Sequence, residues 1–283
     1  MDPSVQRSVL VGLVGAGIQA SRTPALHERE GAAQGLHYMY RLIDLDTPGL
    51  SGAGLADILS AADRFGFAGL NITHPCKQTA LSHLDELSAE AAMLAAVNTV
   101  VFKDGRRMGH NTDRSGFERS FTRNLPDVRR RCVALFGAGG AGAAVACALL
   151  RLGVDELLIV DTEQSRAATV AATMRGEFGP RVRAEADAAQ AMRQADGVVN
   201  ATPVGMARYP GMAVETGWLR TDMWVADIVY FPLETELLRQ ARLQGCRTMD
   251  GGDMAVFQAA DAFRLFTGLE PDTGRMLRHF RSM

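Results

Sequence analysis

The feature that most restricts the fold of this chain is a glycine-rich segment at 137–142. The segment reads Gly-Ala-Gly-Gly-Ala-Gly, follows the apolar run Val133–Phe136 and leads into a helical pattern of small residues. Its glycines permit a tight turn, close approach of a pyrophosphate and close packing of a helix on a sheet. The N-terminus of the helix adds unbonded N–H groups and a dipole that favours an anion. We therefore predict a dinucleotide-binding strand–turn–helix unit, in preference to a glycine turn without a ligand.

An acidic residue at the end of the next predicted strand specifies the dinucleotide. The strand Leu157–Val160 ends in Asp161, which lies 24 residues after Gly137. A carboxylate at this position holds both ribose hydroxyls of NAD and repels the 2′-phosphate of NADP. Arg166 is five residues downstream and within reach of such a phosphate, but a solvated helix position is the favoured interpretation. The pattern predicts NAD as the cofactor.

Length and composition limit the class of protein. At ~150 residues per domain, 283 residues indicate about two domains. The net charge of −2 argues against a nucleic-acid partner bound through a basic surface. The four cysteines form no CxxC motif, so we expect small core residues rather than a metal or redox site. Since no run approaches a membrane span and no basic leader precedes residues 9–18, we expect a cytoplasmic protein without membrane contact.

Apolar β-branched runs alternate with helical patterns over most of the chain, which predicts an α/β fold in two lobes joined near 113–123. In the first lobe, Thr23-Pro24 predicts a helix start with Thr23 as the cap. Strands are predicted at Val9–Val14, His37–Ile43, Gly69–Thr73, Val97–Phe102, Arg107–His110, Val133–Phe136, Leu157–Val160, Gly197–Asn200, Trp224–Asp227 and Arg247–Met249. Helices are predicted at Leu55–Phe65, Ala141–Leu152, Gln164–Arg175, Ala188–Ala195, Glu234–Gln244 and Asp253–Phe266.

Polar residues of the first lobe collect at the predicted carboxyl edge of its sheet, where α/β proteins bind ligands. The hairpin turn at Asp104-Gly105 places Asn98 opposite Asn111. Taken singly, each residue has an ordinary structural role, such as a helix cap, a strand end or an ion pair. Their convergence favours a site for a small polyol or hydroxy acid. The residues are Ser21, Thr23, Thr73, Lys77, Asn98, Asn111 and Asp113.

Two further residues stand out from their surroundings. The chain has 28 arginines and two lysines, and Lys77 supplies a titratable amine that arginine does not. Chance placement of a lysine is the alternative. Gln258 shares the apolar face of the last long helix, where its amide needs a partner. That partner is either a ligand or neighbouring backbone.

Taken together, these motifs resemble the shikimate dehydrogenase family over nearly the whole chain, and within it the NAD-dependent quinate/shikimate branch. The resemblance implies an N-terminal α/β substrate domain at 1–113, completed by C-terminal helices at 253–283, and a Rossmann-type NAD-binding domain at 114–252. It rests on G-L-V-G-A-G-I, S-R-T-P-A-L-H, N-I-T-H-P-C-K, A-V-N-T, G-H-N-T-D-R-S-G-F, G-A-G-G-A-G, N-A-T-P-V-G-M, D-I-V-Y-F-P-L-E-T and the Gln258 helix.

The resemblance also implies roles for individual residues, with Lys77 and Asp113 as the catalytic pair. Substrate-binding roles are implied for Ser21, Thr23, Thr73, Lys77, Asn98, Asp113, Tyr230 and Gln258. Cofactor-binding roles are implied for Gly137, Ala138, Gly139, Gly140, Ala141, Asp161, Arg166, Thr202, Val204, Met206, Val229, Gly251 and Met254.

The implied reaction is reversible oxidation of a ring hydroxyl of quinate or shikimate by NAD, in the shikimate pathway of aromatic amino acid biosynthesis or in quinate catabolism. Three positions depart from the familiar shikimate pattern: Thr23 replaces a serine, Asp161 begins an acidic rather than a basic loop, and Asp253 replaces a common glycine.

The alternatives to this function are an aminoshikimate-type dehydrogenase and a non-catalytic NAD-binding regulator. A homodimer is compatible with the resemblance.

Overall fold

The computed structural model describes residues 7–50 and 54–283. It is an α/β protein that divides into two compact units. The first contains the described residues up to Thr112 together with Val256–Met283, and the second is Asp113–Ala255. Among the helices formed by the described ranges, none is both long enough and apolar enough to cross a bilayer.

The first unit is built on a six-stranded sheet of order β2-β1-β3-β5-β6-β4. Strands β1, β2 and β3 run parallel, whereas β5 is antiparallel to β3 and to β6. The elements up to the chain's first crossing between units are β1 (Ser8–Gly15), α1 (Thr23–Ala33), β2 (His37–Asp44), α2 (Leu55–Arg64), β3 (Gly69–Ile72), β4 (Glu86–Leu87), α3 (Ala89–Leu94), β5 (Thr99–Lys103) and β6 (Arg106–His110).

The predicted hairpin β5–β6 is confirmed, including its register. Asp104 and Gly105 both have positive φ, at 52° and 71°, as a two-residue turn of this hand requires. Thr99 pairs with His110, so Asn98 lies opposite Asn111 as predicted.

One expectation for the first unit is wrong, and two short elements were missed. Thr23 is the first residue of α1, not its cap: the N-cap position is Arg22, and no side chain caps this end. The chain also forms β4 and α3, which were not predicted because two and six residues are too short to show a period. Ser88 stabilises α3 by accepting a hydrogen bond from the backbone N–H of Ala91.

The second unit is a fully parallel six-stranded sheet of order β12-β11-β10-β7-β8-β9, the doubly wound order of a Rossmann-type domain. Helix α4 and strand β9 were missed by the sequence interpretation, which placed a connection at 113–123. The elements are α4 (Asp113–Asn124), β7 (Cys132–Phe136), α5 (Gly140–Arg151), β8 (Glu156–Val160), α6 (Gln164–Phe178), β9 (Val182–Ala184), α7 (Ala188–Gln194), β10 (Gly197–Asn200), β11 (Trp224–Asp227), α8 (Glu236–Leu243) and β12 (Arg247–Met249).

Two C-terminal helices follow, α9 (Gly252–Thr267) and α10 (Thr273–Ser282). In the first unit, Phe263 and Phe266 of α9 pack in one core with apolar side chains of β1 and β2. The buried carboxylate of Glu30 on α1 accepts two hydrogen bonds from the guanidinium of Arg275 on α10, at 2.8 and 2.7 Å. A buried carboxylate requires such a partner, so this pair joins α10 to the sheet-covering helix α1.

Candidate active site and dinucleotide site

The polar residues predicted to bind substrate in the first unit lie at one edge of its sheet. Ser21 and Thr23 follow β1, and Thr73 and Lys77 follow β3, a parallel neighbour of β1. Asn98 immediately precedes β5, which is antiparallel to β3, so it lies at the same edge. The backbone carbonyl of Asn98 accepts a 2.7 Å hydrogen bond from the N–H of Ile72.

The loops that carry these residues are in direct contact. The backbone N–H of Ala16 donates to the carbonyl of His74 at 2.9 Å, which joins the loop after β1 to the turn after β3. A Cβ on Gly15 would lie 2.3 Å from the side-chain methyl of Thr73, so glycine is required for this approach. The carbonyl of Lys77 accepts from the N–H of Val97 at 2.8 Å, which anchors the turn next to Asn98.

Two hydroxyls of this cluster make no hydrogen bond within the described part of the chain: those of Thr23 and Thr73. The hydroxyl of Ser21 accepts from the backbone N–H of Thr23 at 3.3 Å, a weak contact. Because Arg22 is at the N-cap position, the Thr23 hydroxyl does not cap the backbone N–H groups at the start of α1. The edge therefore offers hydroxyl groups to a polar ligand.

Asp44, at the end of β2, organises the loop after β1 and was missed by the sequence interpretation. Its carboxylate accepts from the backbone N–H groups of Gly17 and Ile18 and from the side-chain amide of Gln19, at 2.9, 3.1 and 3.0 Å. Burial alone would raise the pKa of Asp44, but these donors and the N–H of Asp46 hold it below its usual value. The available signal was an acidic residue at the carboxyl end of a strand beside β1.

Gln258 lies on α9, and the backbone at this position is bonded to the strand edge. The hydroxyl of Thr112 donates to the carbonyl oxygen of Gln258 at 3.0 Å. On the same helix, Arg264 and Asp261 form an i,i+3 ion pair at 3.4 Å. The hydrogen bond from Thr112 brings the helix that carries Gln258 to the residues that follow β6.

The remaining residues predicted on the substrate side belong to the second unit. Asp113 is the first residue of α4 and is buried, and Tyr230 follows β11. Their roles toward a substrate stay predictions.

The glycine-rich segment lies between β7 and α5, as predicted, and its three key glycines differ in what they do for the protein. Gly137 has φ 102°, and a Cβ there would lie 2.8 Å from the backbone of Ala201. A Cβ on Gly142 would lie 2.0 Å from the carbonyl oxygen of Gly137. By contrast, a Cβ on Gly139 would have no neighbour within 4 Å among the described residues, and its φ is an ordinary −78°. The fold requires Gly137 and Gly142 but leaves open space over Gly139.

Asp161 faces the glycine-rich segment from the end of β8. Its carboxylate accepts from the backbone N–H of Ala138 at 2.7 Å and from that of Glu163 at 2.9 Å. Arg166 is exposed, and its Nε lies 2.8 Å from a carboxylate oxygen of Glu163. The segment after β8 therefore presents two carboxylates, one of which pairs with the arginine.

The other predicted cofactor residues follow neighbouring strands of the same parallel sheet. Thr202, Val204 and Met206 come after β10, and Val229 comes after β11. Since the strands are parallel, these positions share the carboxyl edge with the glycine-rich segment.

A buried polar network supports the segments after β10 and β11. Asn200 donates to a carboxylate oxygen of Asp227 at 3.0 Å, and the backbone N–H of Val229 and the hydroxyl of Thr235 donate to the same carboxylate. The hydroxyl of Thr202 donates to the amide oxygen of Asn200 at 2.7 Å. Burial raises the pKa of Asp227 to about 6 despite these donors.

At the start of α9, Gly251 and Met254 occupy the remaining predicted cofactor positions. A Cβ on Gly251 would lie 2.3 Å from the carbonyl oxygen of Ile228, so packing alone requires glycine here. Asp253, which replaces the glycine expected from the resemblance, pairs with α4: Arg123 Nε lies 3.2 Å and Asn124 Nδ2 3.1 Å from its carboxylate. This departure therefore has a structural partner within the second unit.

Comparisons with known proteins place the chain in a family. The model of the shikimate dehydrogenase substrate binding domain matches residues 13–100, and that of the shikimate 5'-dehydrogenase C-terminal domain matches residues 251–279. A shikimate dehydrogenase (NADP(+)) of Streptomyces avermitilis is 56% identical over 275 residues, covering 96% of this chain and 94% of the relative. A quinate/shikimate dehydrogenase (NAD(+)) of Corynebacterium efficiens is 51% identical, covering 98% and 99%.

Among solved structures, quinate dehydrogenase from Corynebacterium glutamicum in complex with NAD is similar with a TM-score of 0.90 and 49% identity, covering 98% of this chain and 100% of that one. The chain belongs to the shikimate dehydrogenase family. Its relatives include proteins named for NADP and proteins named for NAD at comparable identity.

Proposed function

We propose that this protein is an NAD-dependent dehydrogenase that interconverts quinate with 3-dehydroquinate and shikimate with 3-dehydroshikimate. The observation that carries the choice of NAD is the acidic segment after β8, where Asp161 faces the glycine-rich turn and Glu163 pairs with the nearby Arg166. Two carboxylates disfavour a 2′-phosphate, and Asp161 suits a ribose diol. Two comparisons support the same choice: the Corynebacterium efficiens relative is named for NAD, and the similar structure from Corynebacterium glutamicum is a complex with NAD.

The residues of the second unit fit a dinucleotide. Helix α5 begins at Gly140 and leaves its first N–H groups without partners inside the helix, so they can bind a pyrophosphate. The open space over Gly139 admits that group close to the backbone. Asp161 would bind the ribose, and residues after β10 to β12 would line the nicotinamide end.

The proton chemistry is assigned to Lys77 and Asp113. When bound at the glycine-rich segment, NAD would supply the acceptor for the hydride that leaves the carbinol carbon of the substrate. Lys77 relays the proton that leaves the hydroxyl, and Asp113 holds both the hydroxyl and the ammonium group. The hydroxyls of Ser21, Thr23 and Thr73 and the amides of Asn98 and Gln258 orient the ring.

A spectrophotometric assay of cofactor reduction tests this function. We expect the purified protein to reduce NAD with quinate and with shikimate, and to show a lower kcat/KM with NADP. Activity confined to aminoshikimate would favour the aminoshikimate-type alternative. Binding of NAD without turnover of any of the three compounds would favour the non-catalytic regulator.

Replacing Asp161 should reduce the preference for NAD. Asp161→Ser removes the carboxylate that binds the ribose diol and that repels a 2′-phosphate, so we expect a weaker kcat/KM with NAD and a stronger one with NADP. Each hydrogen bond to a charged group is worth ~1.5–3 kcal/mol. The ratio of kcat/KM with NAD to kcat/KM with NADP should therefore fall by about tenfold or more. Ratios of kcat/KM for the two cofactors measure this, with Glu156→Gln, at the start of β8, as a control. A wild-type enzyme that prefers NADP would overturn the assignment.

Thr23 should contribute to acceptance of quinate, which carries an extra hydroxyl on its carboxylate-bearing carbon. An unpaired buried hydroxyl costs ~1–3 kcal/mol, and the Thr23 hydroxyl is available because no helix cap uses it. We expect Thr23→Val to lower kcat/KM for quinate about tenfold and for shikimate less, and Thr23→Ser to retain both activities. An unchanged quinate-to-shikimate ratio in Thr23→Val would remove Thr23 from substrate choice.

Three further statements stay predictions. The substrate domain at 1–113 with 253–283 and the NAD-binding domain at 114–252 are functional assignments that ligand titrations followed by domain-resolved spectroscopy can test. Light scattering of the purified protein tests the homodimer. Fractionation of cells that produce the protein tests the cytoplasmic location.

A further inference from the structure

The buried carboxylate of Asp227, in the second unit, has no part in the proposed proton chemistry. Asp227 is the last residue of β11, where it pairs with Asn200, the last residue of β10. Both residues are at 0% exposure. A carboxylate at such a position costs free energy unless hydrogen-bond donors surround it, so the donors around Asp227 indicate which segments it stabilises.

The hydrogen bonds of Asn200 determine which way its amide faces. Its Oδ1 accepts from the backbone N–H of Thr202 at 3.0 Å and from the hydroxyl of Thr202 at 2.7 Å. A backbone N–H is an obligate donor, so the atom that faces it is the amide oxygen. The amide nitrogen of Asn200 therefore donates to the carbonyl of Val204 at 2.9 Å and to Asp227 Oδ1 at 3.0 Å.

The two carboxylate oxygens of Asp227 bind different parts of the second unit. Oδ1 accepts from Asn200 and from the backbone N–H of Val229 at 3.0 Å, so it joins the segment after β10 to the segment after β11. Oδ2 accepts from the hydroxyl of Thr235 at 2.7 Å. Thr235 caps α8, where its hydroxyl accepts from the N–H of Leu238 at 3.3 Å. Oδ1 is therefore the oxygen that serves the carboxyl edge of the sheet.

Removing the Oδ1 acceptor would leave two buried donors without a partner. These donors are Asn200 Nδ2 and the backbone N–H of Val229, which is 5% exposed. An unmatched buried donor is costly, so the segments that carry these groups would shift to recover a partner. The same segments carry the predicted cofactor positions Thr202, Val204, Met206 and Val229.

We propose that Asp227 is a positioning residue for the nicotinamide end of NAD. It acts through Asn200 and Val229, and the property that matters is the acceptor at Oδ1 rather than the negative charge. This inference rests on the proposed function, which assigns the segments after β10 and β11 to the nicotinamide end of the cofactor.

The test compares Asp227→Ala with Asp227→Asn by calorimetric titration with NAD and with ADP-ribose, which lacks the nicotinamide. We expect Asp227→Ala to weaken NAD binding about tenfold and to leave the affinity for ADP-ribose unchanged. Asp227→Asn should bind both ligands as the wild type does. In that variant the amide oxygen faces the two obligate donors, and the amide nitrogen faces the hydroxyl of Thr235, which can accept.

Asp196→Ala is the matched control for a loss of stability. Asp196 lies immediately before β10, at the opposite, amino edge of the same parallel sheet. Its carboxylate accepts from the backbone N–H groups of Arg131 and Cys132, at 2.9 and 3.1 Å. This variant should lower the unfolding temperature as Asp227→Ala does, while NAD and ADP-ribose bind as they do to the wild type.

Two further variants keep the inference testable. If Asp227→Ala does not fold, Asn200→Ala removes the same contact from the other strand and should weaken NAD binding selectively. Thr235→Val removes only the contact to Oδ2, so it should lower stability and leave NAD affinity unchanged.

The outcomes separate the positioning role from the proposed function. Unchanged NAD affinity in Asp227→Ala, or an equal loss of affinity for NAD and ADP-ribose, overturns the positioning role alone. The same holds if Asp227→Asn binds NAD as weakly as Asp227→Ala. A wild type that does not bind NAD overturns the proposed function and with it this inference.

Discussion

Lys77→Ala is expected to lower kcat by at least ~10²-fold with a smaller change in KM, because the variant loses the group to which we assign the relay of the substrate proton. The side chain extends from a turn whose backbone is bonded independently, with the Lys77 carbonyl accepting from Val97. The turn should therefore persist without the amine. Steady-state kinetics with saturating NAD measure the effect.

The chain offers a matched control, because its other lysine, Lys103, is exposed beside the hairpin turn. Lys103→Ala should leave kcat unchanged. Lys77→Arg separates charge from titration: arginine keeps the positive charge but does not release its proton, so this variant should also be slow. Near-normal turnover of Lys77→Ala would remove Lys77 from the mechanism.

Gly139→Ala is expected to weaken NAD binding by roughly 10–100-fold, corresponding to the ~1–3 kcal/mol typical of an extra methyl in a filled space. The free energy of unfolding should change by less than about 1 kcal/mol, since Gly139 has a φ that alanine adopts and a Cβ would meet no described residue. Calorimetric titration with NAD gives the dissociation constant without relying on turnover, and thermal unfolding reports the stability.

Gly176→Ala controls for the change of residue type, because Gly176 lies within α6 and a Cβ there also has no described neighbour within 4 Å. We expect this variant to bind NAD as the wild type does. Undiminished NAD affinity in Gly139→Ala would contradict the placement of the pyrophosphate over the start of α5.

Much of the fold follows from local pattern. The strand, glycine turn and helix around 133–152 were predicted because an apolar run, a glycine cluster and a small-residue helix adjoin in sequence. The register of β5 with β6 followed from the Asp104-Gly105 turn, because a two-residue turn determines which residues pair. The end of β8 at Val160 was evident for the same reason: a short apolar run stops where the charged Asp161 follows.

Elements without such a pattern were missed. Helix α4 is rich in charged and polar residues, and the large apolar side chains on its buried face are Phe117 and Phe121, which pack against each other. Phe121 also contacts Trp224 of β11, a residue about a hundred positions away, so the contacts that stabilise this helix are not visible in its own segment. Strand β9 has three residues and exists because β8 pairs with it.

The sequence alone determined which chemical groups are candidates for the site: the glycines at 137–142, the carboxylate of Asp161, the amine of Lys77 and the amide of Asn98. Only the tertiary structure decided which of these groups the protein itself already occupies. Gly251 is required by the carbonyl of Ile228, whereas Gly139 faces open space. Asn98 is oriented by Thr112, which lies across the hairpin. The physical reason is that packing space and hydrogen-bond partners come from residues distant in sequence, so local pattern carries no record of them.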